Sequence, residues 1–324
     1  IAPPPPFTPP AGVHPRVLVR AELIPQIKEN MKHPLLATMY KQVRARAFLE
    51  MDCHMPDKGT ANNVSLDHAF NIQCRAFMYL LGEADKTHAK QTIQHMRDMY
   101  DTLTWDSSVG DITRSMGTVL AVSGCVYDWC YDALTEEDKQ YFIIQMKYLA
   151  SMMEIGYPAG KGETFAGHGG EGELFYFQST AGIAIYDEDP QMYNAAAGVL
   201  YEYMFPTREL FNSAGHHPAG TAYGAVRAGW EVIGKLVFER LGDTGVMGNE
   251  AHKIPYSFIN FRYPNGMFLE DGDTWITVET NGPTYSSNDL AMMLNAVRLG
   301  DAHVNGEAVK QLSLRGYSAG FSIS

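Results

Sequence analysis

The segment AGHHPAGTAYGAVRAGW, residues 214–230, places a tyrosine and an arginine one helical turn apart. Tyr223 and Arg227 occupy positions i and i+4, which share one face of an α-helix. Arginine recognises carboxylate or sulfate groups by paired hydrogen bonds, and a tyrosine beside such a cation can serve as a general acid or base. The spacing therefore fits proton transfer next to a bound anion, although an ordinary contact on a helix surface would give the same pattern.

A second segment, AGHGGEGELFY at 166–176, combines a histidine with carboxylates among glycines. His168 and Glu171 are three residues apart and would be neighbours on a helix, where the carboxylate favours the charged imidazolium. The surrounding glycines let a large ligand approach the backbone closely. The alternative is a glycine-rich loop whose histidine caps a helix. Glu173 follows directly as a further carboxylate, which we expect to contact substrate.

A rival interpretation uses carboxylates alone. Asp128, in the YDW tripeptide, together with Glu171 or Glu173 could supply the acid and base of a glycoside hydrolase. The sequence does not decide between this pairing and the tyrosine-based chemistry, so a hydrolase remains an alternative.

Two other groups contain metal-ligand residue types without metal-ligand spacing. Asp271 and Asp273 are too close for a recognised calcium loop, so a turn is expected. His216 and His217 are adjacent, would point apart in regular structure, and have no obvious third ligand for zinc. We therefore expect no metal or other cofactor in this chain.

Composition excludes some classes of protein. The 324 residues are 45% hydrophobic and carry a formal net charge of −12, which disfavours a general nucleic-acid-binding function. No apolar run reaches the roughly 18 residues of a membrane span. The four cysteines, Cys53, Cys74, Cys125 and Cys130, form no metal-ligand pattern, and we expect buried thiols.

Helical periodicity dominates from about residue 20 onward, after a Pro-rich segment at 1–19 that we expect to be extended. Thr135 and the acidic residues after it form a capping signal, and the nearly apolar segment at 112–134 should be buried. The best strand candidate is 267–280. The predicted helices lie near 21–31, 34–51, 66–83, 85–103, 112–134, 134–156, 172–186, 190–204, 220–241, 248–259 and 287–299.

Long helices joined by short connections predict antiparallel neighbours that stack or close into a ring. We predict a mainly α fold, an incomplete (α/α) toroid of helical hairpins over 20–262. Residues 263–324 are expected to form the end of the toroid, the start of a β region and a linker. A ring of hairpins leaves a cleft at one end, where the segments around His168 and Tyr223 would lie at helix starts.

The ordered set of motifs resembles the heparinase II/III-like polysaccharide lyases, most closely the heparinase II branch. The motifs are GVHPRVLV, YDWCYDALTEED, GHGGEGE, PAGTAYGAVR and FRYPNGMFLEDGD, in that order along essentially the whole chain. The 55 residues between His168 and Tyr223 are close to the separation of the corresponding histidine and tyrosine in that family.

The resemblance implies β-elimination at a uronic acid. Tyr223 matches the general acid, which is also the base for one uronate epimer, and His168 matches the residue that neutralises the carboxylate or takes the proton. Glu171 matches the acidic partner of the histidine, and Arg227 matches the arginine that binds substrate anions. We expect His217 to contact substrate as well.

The resemblance also implies a periplasmic or secreted enzyme acting on an acidic polysaccharide, with heparin or heparan sulfate favoured. That family follows its toroid with a β-sandwich that adds a histidine and, in heparinase II, holds a structural zinc. We expect this β-sandwich to be absent from these 324 residues, and a C-terminal β-sandwich segment or a second copy of the chain to be a partner. Alternatives are an alginate lyase, a chondroitin or dermatan lyase, and a non-catalytic glycan-binding toroid.

Overall fold

The protein is mainly α-helical, as predicted. The computed structural model describes residues 3–106, 108–109, 112–158, 169–272, 290–314 and 316–317. Within these ranges the only β-pairings are two isolated bridges, which join Asn62 to Trp105 and Arg262 to Phe268. The chain forms two compact units, residues 1–199 and residues 200–324.

Helices of the first unit pack both against their neighbours in sequence and around α5. They are α1 (Ile24–Asn30), α2 (Pro34–Ala47), α3 (Leu66–Leu80), α4 (Lys86–Thr102), α5 (Ile112–Trp129), α6 (Glu136–Met152), α7 (Gly170–Gly172), α8 (Ser179–Ala184) and α9 (Gln191–Val199). A π-helix over Glu173–Gln178 connects α7 to α8. Helix α3 contacts α2, α4 and α5, and α5 contacts α6, α8 and the π-helix. Helix α5 is therefore the centre of this unit.

Two glycines of α5 explain why the π-helix and α8 can lie so close to it. A Cβ atom on Gly117 would be 2.0 Å from the Phe177 ring, and one on Gly124 would be 3.1 Å from the Cα atom of Ala181. Almost every residue of α5 is buried, which confirms the burial predicted from its apolar sequence. Close backbone approach at these two glycines positions the segment that carries Glu171 and Glu173.

Helix α6 begins at a complete capping box, as its sequence predicts. The Thr135 hydroxyl accepts a hydrogen bond from the backbone N–H of Asp138, and the Asp138 carboxylate accepts one from the backbone N–H of Thr135. These two bonds satisfy donors that the first turn of a helix leaves free.

In the part of the second unit that the structure describes, a π-helix spans Leu200–Met204 and there are five α-helices. They are α10 (Phe205–Phe211), α11 (Gly220–Leu241), α12 (Asn249–Asn260), α13 (Leu290–Leu299) and α14 (Ala302–Leu314). Helix α11 packs on α12 and α13, and α13 packs on α12 and α14. Their shared core includes Ala228, Val232, Ile254, Phe258 and Met292.

A buried ionic network connects α10, α11 and α12. The Lys235 ammonium is wholly buried and donates to the carboxylates of Glu231 and Glu250. The Arg208 guanidinium also lies 3.1 Å from Glu231. Burial alone would lower the pKa of Lys235, but the two carboxylates outweigh it and raise that pKa. The network thus holds an ionised lysine inside the unit.

The structure departs from the predicted elements in three respects: unpredicted helices, π-helical stretches and the predicted strand. Helices α10 and α14 were not predicted. Helix α14 occupies residues 302–314, where a linker was expected. The predicted helices at 172–186 and 190–204 each contain a π-helical stretch. The predicted strand shows only the Phe268 bridge within 267–272, and its remaining residues, 273–280, lie outside the described residues.

No described helix has both the length and the apolar character that crossing a membrane requires.

Candidate functional site

Helix α11 begins at a tight turn formed by the histidine-proline segment before it. Gly220 adopts the left-handed conformation, with φ of +82°, and its N–H donates to the His217 carbonyl at 3.0 Å. The backbone N–H of Ala219 donates to the Nδ1 atom of the His217 ring at 3.1 Å. A side chain at residue 220 would be strained, which accounts for the glycine at this position.

Residues 269–272 lie against this turn. The Thr221 hydroxyl donates to the Leu269 carbonyl at 3.0 Å. A Cβ atom on Gly220 would lie 1.8 Å from the carbonyl oxygen of Asp271, so the two backbones are in direct contact. The beginning of α11 is thereby attached to residues far along the chain.

A histidine–carboxylate contact that the local sequence pattern did not indicate joins these two segments. The His216 Nε2 atom lies 2.6 Å from the Asp271 carboxylate, and the imidazole stacks on the Phe261 ring with centroids 4.6 Å apart. We considered His216 as a zinc ligand and Asp271 as a calcium ligand and expected neither, and the fold places the two side chains together. Because the two residues are far apart in the sequence, local spacing could not have predicted their contact.

Tyr223 and Arg227 are adjacent, as their i, i+4 spacing predicts. The Arg227 guanidinium carbon lies 5.4 Å from the centroid of the Tyr223 ring, within the range of a cation–π contact. Both side chains are half-buried. The first two turns of α11 therefore carry a phenol and a guanidinium on one partly accessible face.

His217 precedes α11 and is buried against its first turns. Its exposed fraction is 8%, and a Cβ atom on Gly224 would come within 2.9 Å of the His217 Cβ atom. Gly224 thus makes room for the imidazole, whose Nδ1 atom shapes the turn at Ala219. In this structure His217 is buried and accepts a hydrogen bond from the turn at the start of α11, whereas we expected it to contact substrate.

The expected substrate ligand Glu173 is completely buried in the first unit. Its carboxylate accepts hydrogen bonds from the backbone N–H groups of Ile155 and Gly156, at 2.9 and 3.0 Å, and from the Gln178 side chain at 2.7 Å. Burial, with a smaller contribution from the charge of Glu154, raises the pKa of Glu173 to about 7 in spite of these three donors. In this structure the Glu173 carboxylate binds backbone N–H groups inside the first unit.

The segment before Glu173 is held by a carboxylate that our sequence analysis missed. The Glu154 side chain accepts a hydrogen bond from the backbone N–H of Gly169 at 3.2 Å. Glu171 lies in the single turn of α7 and is buried, with an exposed fraction of 2%. His168, its expected partner, lies outside the described residues, so the pairing of His168 with Glu171 stays a prediction.

Asp128 has a structural environment that argues against its use as a hydrolase acid or base. One carboxylate oxygen accepts hydrogen bonds from the backbone N–H groups of Arg16 and Val17, both at 2.8 Å, and the other lies 2.6 Å from the His14 Nδ1 atom. The Asp128 side chain is wholly buried, and the neighbouring Trp129 indole donates to the Val17 carbonyl at 2.9 Å. The HPR and YDW motifs thus form one clamp that fixes the N-terminal segment to α5.

The clamp is part of a wider anchoring of that segment. Residues 3–20 contain no helix, in line with the predicted extended segment. The Tyr193 hydroxyl donates to the Phe7 carbonyl at 2.7 Å, and the backbone N–H of Gly12 donates to Asp187 at 3.0 Å. The Pro-rich segment is therefore packed onto the first unit along much of its length.

Within the described residues, no group of three or more His, Cys, Asp or Glu side chains is arranged to hold a metal ion. All four cysteines are buried free thiols, as predicted.

A comparison of the chain with protein-family models found no match, and a comparison with curated proteins found no similar sequence.

Proposed function

We propose that the protein is a polysaccharide lyase that cleaves a uronic-acid-containing glycan by β-elimination, with heparin or heparan sulfate as the favoured substrate. The observation that carries the proposal is the half-buried pair of Tyr223 and Arg227 at the start of α11. A proton-transfer group next to a fixed cation is what elimination beside a carboxylate requires. The motif resemblance supports the same chemistry, the incomplete (α/α) toroid, and a periplasmic or secreted location.

The reaction proceeds by loss of the C5 proton and departure of the O4 group. Arg227 binds the C6 carboxylate and stabilises the negative charge that develops when a base removes the C5 proton. The electron pair of the broken C–H bond forms the C4–C5 double bond, and the C4–O4 bond breaks. Tyr223 supplies the proton that the departing oxygen takes. His168 and Glu171 keep the roles that the resemblance implies: His168 neutralises the carboxylate or, as the base, takes the C5 proton, and Glu171 supports the imidazole.

Absorbance of the product tests the proposal directly. A lyase leaves a C4–C5 double bond that absorbs in the ultraviolet, whereas a hydrolase does not and a binding module forms no product. The protein should be assayed on a panel of uronate polymers: heparan sulfate, heparin, chondroitin and dermatan sulfates, and alginate. Absence of an absorbing product on every polymer would reject the lyase assignment.

Replacement of Tyr223 by phenylalanine tests the residue assignment. We expect Tyr223→Phe to lower kcat by roughly 10²–10⁴-fold with little loss of glycan binding, because only one phenol oxygen is removed. Tyr203→Phe is the matched control, since Tyr203 is 51% exposed in the same unit. A Tyr223→Phe variant with the turnover of the control would show that another group transfers the proton.

A further inference from the structure

The first unit contains a second group of chemically active side chains, in a cavity of about 380 Å³ beside α3 and α4. Three of its lining residues, His88, Gln91 and His95, recur along one face of α4, and Arg75 reaches it from α3. The remaining lining residues belong to the segment after α2; they are Phe48, Leu49, Glu50 and Met51. The cavity combines three basic side chains in one place, and the lyase proposal uses none of them.

Arg75 is buried at the back of this group, with an exposed fraction of 5%. Its guanidinium donates to the Ala47 carbonyl at 3.0 Å, to the His88 Nδ1 atom at 3.3 Å and to the Gln91 side-chain oxygen at 3.3 Å. Its Nε–H group has no hydrogen-bond partner among the described protein atoms. Arg75 therefore holds the cavity wall in place, and its Nε–H group is an unpaired donor.

The histidines add further unpaired nitrogens. Because arginine can only donate, the His88 Nδ1 atom must accept, which places the proton of the neutral ring on Nε2. That Nε2–H group is buried without a partner, and so is the Nδ1 atom of His95. Burial and the charge of Arg75 lower the pKa of His88 to about 4, and the same two causes lower the pKa of His95.

Buried donors without acceptors are costly, so a ligand that supplies acceptors would be stabilised here. A metal ion is disfavoured because the Arg75 charge lies within hydrogen-bonding distance of His88. An apolar ligand would leave the N–H groups unpaired. A negatively charged oxygen group meets both the donors and the positive charge.

We propose that this cavity is a binding site for an oxyanion, a sulfate, phosphate or carboxylate group, held by Arg75, His88 and His95. Glu50 is exposed at the lining and opposes the anion by its charge. The other titratable groups whose charges act on these three residues are Asp52, Cys53, His68, Asp85 and Asp98. The site is independent of Tyr223 and Arg227 and does not rest on the lyase proposal.

Calorimetric titration with sodium sulfate at constant ionic strength tests the site, because sulfate keeps its charge where histidines titrate. We expect saturable binding that tightens as the pH falls from about 7 to about 5. His88 stays neutral because its Nδ1 atom accepts from Arg75, whereas the bound anion favours a charged His95 imidazole, so the pKa of His95 rises on binding and a proton is taken up. Histidine proton resonances report this rise directly. Absence of saturable binding over this pH range would overturn the proposal.

Three variants localise the binding. Glu50→Gln should tighten sulfate binding about two- to five-fold, since it removes an exposed opposing charge without touching the cavity's donors. His95→Gln should weaken binding at low pH about ten-fold, the effect of losing one hydrogen bond to a charged group. Lys41→Gln is the control, because it removes an exposed charge from α2 outside the cavity lining. Sulfate binding that responds equally to all three variants would identify a nonspecific surface ion and reject the site.

A second titration distinguishes a free ion from an anionic group carried on a sugar. A sulfated uronate disaccharide should compete with sulfate at the same site, and its affinity should respond to Glu50→Gln in the same direction. Tighter binding of the disaccharide than of sulfate would identify a saccharide group as the ligand. Equal or weaker binding would identify the free ion.

Discussion

Glu173 shows how burial changes what a carboxylate can do. Its oxygens accept from two backbone N–H groups and one side-chain amide, all within the first unit. The donors favour the charged form, but complete burial has the larger effect and raises the pKa to about 7 from an ordinary value of 4.5. The carboxylate of Asp128 is likewise held by backbone N–H groups, and by a histidine. At both positions the carboxylate organises the chain around it.

The raised pKa of Glu173 predicts a specific dependence of stability on pH. Between about pH 4.5 and pH 7 the folded protein keeps the Glu173 proton and the unfolded chain has lost it. The contribution of Glu173 to the free energy of unfolding therefore falls as the pH rises through this window and is constant above it. The total change is on the order of 2–4 kcal/mol, because one pKa unit corresponds to about 1.4 kcal/mol.

Glu173→Gln removes this titration and provides the measurement. The variant should lose about 1–3 kcal/mol at low pH, because its amide nitrogen must face one of the donors now bound to the carboxylate. The stability advantage of the natural protein, measured by urea unfolding, should then shrink as the pH rises from about 4.5 to about 7. Glu83→Gln, at an exposed position of the same unit, should show no such trend. Parallel pH curves for the natural protein and Glu173→Gln would contradict the assignment.

At the scale of elements, the start of α11 depends on glycine for two separable reasons. Gly220 has a positive φ of +82° and also lies against the Asp271 carbonyl, which a Cβ atom would approach to 1.8 Å. Gly300 has a positive φ of +62° with no atom near its missing Cβ. A comparison of the two positions separates backbone strain from the loss of close approach.

We expect Gly300→Ala to lower the free energy of unfolding by about 1 kcal/mol, the usual cost of a left-handed conformation for alanine. Gly220→Ala should cost clearly more, on the order of 3 kcal/mol, because the segment at 269–272 must also move. If the lyase proposal holds, activity should fall with Gly220→Ala and be unchanged with Gly300→Ala. Equal losses of stability in the two variants would show that residues 269–272 do not hold the start of α11 in solution.

The elements also show how far local sequence determines the fold. Helix α11 was predicted at 220–241 and is observed over Gly220–Leu241, because an uninterrupted apolar pattern and Gly242 define its body and end. The adjacency of Tyr223 and Arg227 follows from the same periodicity. The π-helical stretches did not follow from it, since one extra residue in a turn leaves the apolar composition unchanged. The pairing of His216 with Asp271 depends on how distant segments meet, which periodicity does not encode.

At the scale of the whole molecule, the four cysteines divide unequally between the two compact units. Cys53, Cys74, Cys125 and Cys130 all lie within residues 1–199, and all are buried free thiols. Burial raises the pKa of Cys53, Cys74 and Cys125 to about 12 and raises that of Cys130 as well. Thiol reactivity requires the thiolate and access of the reagent. The thiolate fraction of each cysteine and its accessibility to a reagent both depend on the packing of this unit.

We therefore predict that none of the four thiols reacts rapidly with Ellman's reagent in the native protein near neutral pH, and that all four react once urea unfolds residues 1–199. The slow native rate should follow the opening equilibrium of this unit, because reagent reaches the sulfurs only when the helices separate.

Gly117→Ala should accelerate labelling, since its Cβ atom would displace the Phe177 ring from α5, whereas Gly300→Ala in the second unit should not. Mass spectrometry of the labelled protein counts the modified cysteines. Rapid labelling of the native chain would contradict the packing of the thiols. Fewer than four labelled sites in urea without reductant would reveal a disulfide where the structure has free thiols.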